Sequence, residues 1–365
     1  MQFGMQMIFQ SFGYGPDMTD AKVYDEEIKL AVLADEVGFD HLWVVEHHFD
    51  DYSFCPDNTV FLANMAGRTK RIRLGTGAVI VPWNDPLRVA EKIAMLDLIS
   101  GGRVIFGMGR GLSRIEYAPF QIDMTSSRDR FDEAAPMIIN ALETGFIEGD
   151  GKYYPQPRTE IRPRPQKSFK GRTFSVTMSP DSVLSAARMG IAQNLFTQGP
   201  WEGFKHMIDS HRAEYVKHHA GPLPKPQTCD FVVCDEDRAR AEDNLRQYLT
   251  TYIASLMGHY ELAGDHFKGK KGYESYGETV DILKQLGFDG MCKDYMQGLI
   301  WGTPDECIEK IRARRQVIGE FDLNCCIRYG GVPLEVAERT TRLFGEKVIP
   351  IAREQEAQDA RRAAE

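Results

Sequence analysis

A glutamate and two histidines stand side by side as Glu46-His47-His48-Phe49, directly after the apolar run Leu42-Trp43-Val44-Val45. An imidazole titrates near neutrality, so it can take or give a proton at little cost. The run before the triplet has the composition of a buried strand. Chains built of repeated strand–helix units place their chemistry where such strands end. Paired histidines at a strand end also serve as hydrogen-bonded structural features, and this segment alone leaves both readings open. A metal would need further ligands. None stands at a recognisable spacing, and Glu46 is adjacent to His47 rather than a helical turn away. No metal site is expected.

Three other segments could hold a ligand. Gly75-Thr76-Gly77-Ala78-Val79 closes another apolar run. Its glycines either form a tight turn or let the backbone approach a flat group. Gly107-Met108-Gly109-Arg110-Gly111 follows a fourth run. Its glycines do not have the spacing of the dinucleotide fingerprint, but exposed N–H groups and one guanidinium suit a phosphate. Ser179-Pro180-Asp181-Ser182 opens a helix. A helix N-terminus attracts anions, whereas Asp181 opposes one, so a plain cap is the alternative.

Elements that would carry these segments alternate along the chain. Strands are expected at residues 3–9, 41–45, 72–81, 104–108, 173–178, 194–196, 229–233 and 325–327. Helices are expected at 24–37, 58–66, 87–98 and 127–142. Asp85-Pro86, Ser179-Pro180 and Thr303-Pro304 each place a capping residue before a helix-starting proline, and Glu306 completes a capping box with Thr303. Regular alternation favours a parallel sheet, and eight units close it. The expected fold is therefore α/β, a (β/α)8 TIM barrel in one domain over residues 1–365. Insertions are expected after strand four (about 143–172, a hairpin) and in the strand-seven region (about 252–301, a polar, glycine-rich lid or loop). Residues 352–365 read as a fraying, solvated helix end.

Composition sets the class. The chain has 365 residues, 42% hydrophobic and 27% charged, as in an ordinary globular protein. A net charge of −9 argues against a nucleic-acid partner. No stretch is apolar enough to span a bilayer, and residues 1–10 lack the pattern of a signal peptide, so a cytoplasmic location is expected. Seven cysteines without a Cys-x-x-Cys pair read as reduced, buried thiols. Phe9, Phe12, Tyr14, Trp83 and Trp301 could line an apolar pocket or belong to the core.

Taken in order, several segments give the chain a resemblance to the bacterial luciferase-like flavin monooxygenases, and most to the luciferase alpha-type subunit. They are Phe39-Asp40 through Leu42-Trp43, then Glu46-His47-His48-Phe49. Leu74-Gly75-Thr76, Ile80-Val81-Pro82, Leu96-Asp97, Ser100, Gly102-Arg103, Phe106-Gly107 and Arg110-Gly111-Leu112 follow. Lys271-Gly272-Tyr273, Gly302-Thr303-Pro304-Asp305-Glu306-Cys307-Ile308 and Asn324-Cys325-Cys326 come last.

The resemblance implies a barrel that binds FMN, reduced by a separate NAD(P)H:flavin reductase. With O2 a flavin C4a-peroxide forms and oxygenates a small apolar organic substrate. It implies His47 as acid or base beside the flavin, with Glu46 and His48 holding it. A cis peptide at Gly77-Ala78 would lie under the ring. Arg110, the Leu112 backbone, Ser179 and Ser182 would hold the phosphate, with Met178 and Glu116 also in the cofactor-binding set. Lys271 would lie in a mobile lid, and the chain would pair as a homodimer. Met178 stands in place of a glutamate, Gly109 of a reactive cysteine and Ser182 of a threonine. These departures keep flavin binding and point away from light emission and long-chain aldehydes. Two alternatives on the same fold are an F420-dependent hydride-transfer oxidoreductase and a non-catalytic luciferase-like subunit.

Overall fold

Eight short parallel strands close on themselves in a computed structural model that describes residues 1–262, 264, 266–267 and 273–364, without the side chains of 274–284, 360, 363 and 364. The strands are β1 Phe3–Met7, β2 His41–Val44, β3 Arg73–Thr76, β4 Val104–Gly109, β5 Thr173–Val176, β6 Ala192–Phe196, β7 Gln227–Phe231 and β8 Asp322–Cys326. Each pairs in parallel with its neighbour, and β1 pairs with β8 through Phe3 and Leu323. The (β/α)8 TIM barrel expected from the alternation is the fold. Among the described residues no helix is long and apolar enough to cross a membrane. All seven cysteines are free, six of them buried.

Side chains fill the barrel. Trp43 of β2 is fully buried and packs edge-on against Phe174 of β5, with ring centroids 5.3 Å apart. Its indole takes space that three glycines leave open. A Cβ on Gly4 would stand 2.9 Å from the ring, on Gly75 2.7 Å and on Gly107 3.1 Å. The bulk missing at Gly75 thus admits Trp43, not a ligand.

The helices that bear on the site are α1 Asp20–Val37, α2 Asn58–Arg68, α3 Pro86–Ile99, α4 Ser127–Thr144, α5 Pro180–Arg188, α6 Lys205–His218 and α7 Arg238–His259. Asp85 caps α3, and Ser179 caps α5 through a capping box with Ser182. Thr303 and Glu306 form the second such box, on helix Pro304–Ile318. Two buried ion pairs tie helices to strands. Arg172 donates to Asp97 at 2.6 and 3.0 Å, and Arg314 to Asp230 at 2.8 and 2.5 Å. Both are doubly bonded, which a desolvated pair needs to offset its lost hydration.

Four expectations need comment. The third strand is not continuous over 72–81. It stops at Thr76, a cis peptide joins Gly77 to Ala78, and a second piece, Val79–Ile80, runs into the 3-10 turn Val81–Trp83. The hairpin in the first insertion is present as Phe146–Gly149 against Gln156–Glu160. The second insertion does not begin at Tyr252. That residue is buried inside α7, and Glu274–Gly298 is helical with a kink at Gly287. The lid expectation at Lys271 falls outside the described residues. The start of the tail is held, since helix Ile349–Ala364 buries Ala352, Arg353 donates to Asp40 at 2.6 Å and Glu356 lies 3.5 Å from Arg315, while residues 357–359 and 361–362 are exposed.

Gly75→Ala is expected to destabilise the protein by about 1–3 kcal/mol, because the added methyl must displace a fully packed indole. The urea unfolding midpoint checks this.

Candidate active site

The loop that leaves β2 carries six chemically able side chains within seven residues, Glu46 to Tyr52. Glu46 is buried and faces away from His47. Its Oε1 accepts from Trp83 Nε1 at 2.6 Å and Asn84 Nδ2 at 2.9 Å, and its Oε2 accepts from the Ile80 backbone at 3.0 Å. His48 Nε2 lies 3.5 Å from it. Glu46 therefore anchors the turn after β3, and does not hold His47 as expected. His48 likewise does not hold the His47 ring. It packs edge-on to Phe120, with centroids 4.8 Å apart.

Glu116 does the holding. It sits on the short helix Arg114–Tyr117 after β4. Its Oε1 lies 2.8 Å from His47 Nδ1 and accepts from the His48 backbone N–H at 2.9 Å. A second imidazole approaches the same atom. His259, the last residue of α7, puts Nε2 at 3.7 Å, an ion-pair distance beyond hydrogen bonding. His259 Nδ1 lies 3.0 Å from Asp50 Oδ2. The His259 ring stacks on Tyr52 at 4.5 Å and meets His47 edge-on at 5.4 Å. Donor atoms of His47, Glu116 and His259 all fall within 4.8 Å of one another. The sequence spacing, which showed no third group near the histidine pair, hides this.

Charge in the cluster is strongly coupled. Burial pushes the Glu116 carboxyl up, but the positive charges and hydrogen bonds of His47 and His259 outweigh it and hold the carboxyl well below its usual range. Burial pushes His259 down, and Glu116 and Asp50 reverse this to a net upward shift. With Nδ1 of His47 engaged by Glu116, Nε2 is the atom left to take or give a proton.

A second cluster lies at the same end of the barrel, since it too follows strand C-termini. Arg110 follows β4. Its guanidinium stacks 3.8 Å over the Tyr273 ring and lies 3.4 Å from Ser127 Oγ. Tyr117 donates to the Arg110 carbonyl, and Tyr273 to the Gly111 carbonyl at 3.0 Å. Leu112 packs against the small buried cluster of Tyr117, Met124, Phe267 and Tyr273. Ser179 and Ser182 cap α5 reciprocally, and the Met178 sulfur accepts from the Phe196 N–H at 3.3 Å. Arg128, in the first turn of α4, is nearly buried. Its closest carboxylate, Asp132, is 3.5 Å away, and its Nε and Nη2 have no hydrogen-bond partner among the described residues. Burial and then the charge of Arg110 lower its proton affinity. A cavity of about 350 Å³ between α4 and α5 opens onto Arg128 and Asp181. The orphaned guanidinium nitrogens of Arg128, beside the Arg110 charge, form a place for an oxyanion.

The clusters are joined by aromatic rings. Trp83, held by Glu46, stacks on Phe120 at 5.3 Å and meets Tyr117 edge-on at 4.9 Å. Of the five aromatics suggested for a pocket, only Trp83 takes part in this row. Phe9 and Trp301 are core, Phe12 is exposed, and Tyr14 bonds the Val332 carbonyl.

The profile of the luciferase-like monooxygenase family matches residues 1–320. The chain belongs to that family. It is 28% identical over 327 residues to the alkanal monooxygenase alpha chain of Aliivibrio fischeri, covering 87% of this chain and 90% of that one. The monooxygenase RslO1 of Streptomyces bottropensis superposes with a TM-score of 0.78 at 28% identity, covering 96% of this chain and 99% of the other. An FMN complex of the oxygenating constituent of 3,6-diketocamphane monooxygenase of Pseudomonas putida shares the fold, with a TM-score of 0.69 at 19% identity over 95% or more of both chains.

Reading this luciferase-like sequence alone missed Arg128, Asp50 and His259. Arg128 had a signal. It is a cation in the first turn of a helix, against the dipole, and it shares the buried face with Phe131 and Ala135. His259 shares the buried face of α7 with Tyr252 and Ser255 and looks like core.

The pairing of Glu116 has a pH signature. A lowered carboxyl stabilises the fold above the ordinary glutamate pKa and loses that effect as pH falls. A raised histidine stabilises below the ordinary histidine pKa, 6.5, and loses it as pH rises through the folded value. Glu116→Gln should therefore cost most, ~1–3 kcal/mol, near pH ~5.5. The loss should shrink on either side, as urea midpoints across pH would show.

Proposed function

We propose that this chain is the oxygenating component of a two-component flavin monooxygenase. It takes up FMN reduced by a separate NAD(P)H:flavin reductase and uses O2 to place one oxygen atom on a small apolar organic substrate. One observation carries this reading. In a member of a monooxygenase family, a carboxylate-held imidazole and a two-arginine cradle lie at the same end of the barrel, joined by aromatic side chains.

The residues fit the cofactor. Arg110 and Arg128 would take the phosphate, with the N-terminus of α5 at Ser179 and Ser182 beside them. The orphaned Nε and Nη2 of Arg128 are the donors that such a group would satisfy. Gly77 and Ala78 would lie under the ring. Bound reduced FMN supplies the electrons that activate O2. His47 Nε2 holds or delivers the proton, and Glu116 fixes its tautomer. The row of Trp83, Phe120 and Phe49 gives the mouth an apolar wall, which supports an apolar substrate; the Phe49 ring is 60% exposed. No dinucleotide fingerprint occurs in the sequence, which supports delegating flavin reduction to another protein.

The same reading includes a homodimer. Val60 on α2 and Met95, Leu98 and Ile99 on the adjoining α3 expose apolar side chains. Sedimentation should give a dimer, and Leu98→Glu with Ile99→Glu should shift it to monomer.

Arg128→Ala should weaken FMN binding ~10–100-fold, the worth of a charged hydrogen bond, and leave riboflavin, which has no phosphate, unchanged. Fluorescence titration with both ligands checks this. His47→Ala should lower product yield per reduced FMN at least ~100-fold. Hydride transfer to F420 with no O2-dependent product would overturn the assignment.

A further inference from the structure

His259 is buried with no exposed side-chain surface, lies beside the site, and plays no part in the function described above. It stands between two carboxylates. Asp50, whose side chain is 30% exposed, meets Nδ1, and Glu116, 2% exposed, faces Nε2. Nε2 has no hydrogen-bond partner among the described residues. The other titratable rings facing His259 and His47 are Tyr52 from the loop after β2 and Tyr260 beyond α7, while His48 gives Glu116 its backbone N–H and turns its ring to Phe120. Tyr252 reaches them through its hydroxyl, 2.8 Å from that of Tyr52. Neither Lys nor Arg is among the described groups in contact with the pair, so the cations that can answer Glu116 are imidazolium ions.

We propose that Asp50 and His259 form a charge-setting arm, in which protonated His259 takes up part of the Glu116 charge and so weakens the hold of that carboxylate on a proton at His47. His259 is then a positioning residue acting through Glu116, and Asp50 keeps it charged. The proposal deepens the proton role given to His47 above and rests on that reading only for its effect on catalysis.

Distance supports the coupling. The two imidazole rings are 5.4 Å apart, and they share a single carboxylate oxygen. Like charges at such a separation in a partly desolvated site alter each other's proton affinity by a unit or more. The direction follows from the sign. Removing the His259 charge leaves Glu116 wholly to His47, so His47 should bind its proton more tightly. Removing Asp50 takes away one of the two anions that keep His259 protonated, so His259 should bind its proton less tightly.

The test is an NMR titration of imidazole C–H signals in the flavin-free protein, with His47→Gln and His259→Gln assigning the signals. In His259→Gln the midpoint of His47 is expected to rise by about 1 pH unit or more. In Asp50→Asn the midpoint of His259 is expected to fall by a similar amount. An unchanged or lowered His47 midpoint in folded His259→Gln overturns the proposal. If circular dichroism shows that variant unfolded, an unchanged His259 midpoint in Asp50→Asn overturns it instead. The acid limb of the kcat/KM profile should move up with the His47 midpoint, whereas a merely structural role would lower the rate and leave the limb in place. Because the titration needs neither flavin nor turnover, failure of the oxygenase reading and failure of this arm give different results.

Discussion

A carboxylate buried without partners is costly enough that it would take up a proton instead. Glu116 avoids this because three stretches of chain converge on it. The loop after β2 brings His47 and the His48 N–H, the short helix after β4 brings the carboxylate itself, and the end of α7 brings His259. None of these stretches is close to another in sequence. Only the closed barrel, with β2, β3 and β4 side by side, makes them neighbours. The charge of one side chain thus makes the chemistry of the site dependent on the whole fold.

The site has two poles of opposite character. At one, two imidazoles face the carboxylates of Glu116 and Asp50. At the other, buried Arg128 lies close enough to Arg110 for the two charges to repel, with Asp132 3.5 Å away. Between them the Trp83 and Tyr117 rings meet edge-on and tie the poles mechanically. Trp83 bonds Glu46, and Tyr117 bonds the Arg110 carbonyl. An elongated ligand with an anionic tail and a polar, flat head suits this arrangement, since each end meets the chemistry it needs.

The sequence made much of this legible. Strand positions followed from apolar runs, because strands covered on both faces carry no alternating pattern to confuse with a helix. Caps at Asp85, Ser179 and Thr303 were readable because a proline at the first helical position is a strong local signal. The triplet at Glu46 was visible as chemistry, but its roles were not. Which carboxylate grips His47 depends on contacts between distant segments, and the family resemblance gave that role to Glu46 rather than Glu116. The first residues of the tail were hidden for a related reason. Its charged residues look solvated one by one, yet Arg353 and Glu356 find partners on other elements. Arg103 shows the reverse. It stood out only as part of a matching motif, and the structure gives it a physical task. Its guanidinium donates to the Ala66 and Thr69 carbonyls, closing the C-terminal end of α2.

Trp43 has a consequence for how the molecule can change. The indole acts as a stopper in the tube, with the three glycines as its seat. Nothing can pass along the axis, so ligands must arrive and depart by the one rim where the histidines and arginines sit. The opposite rim is free to vary for firmness alone. New specificities have to be written into the upper loops, and lengthening a ligand downward is closed as a route.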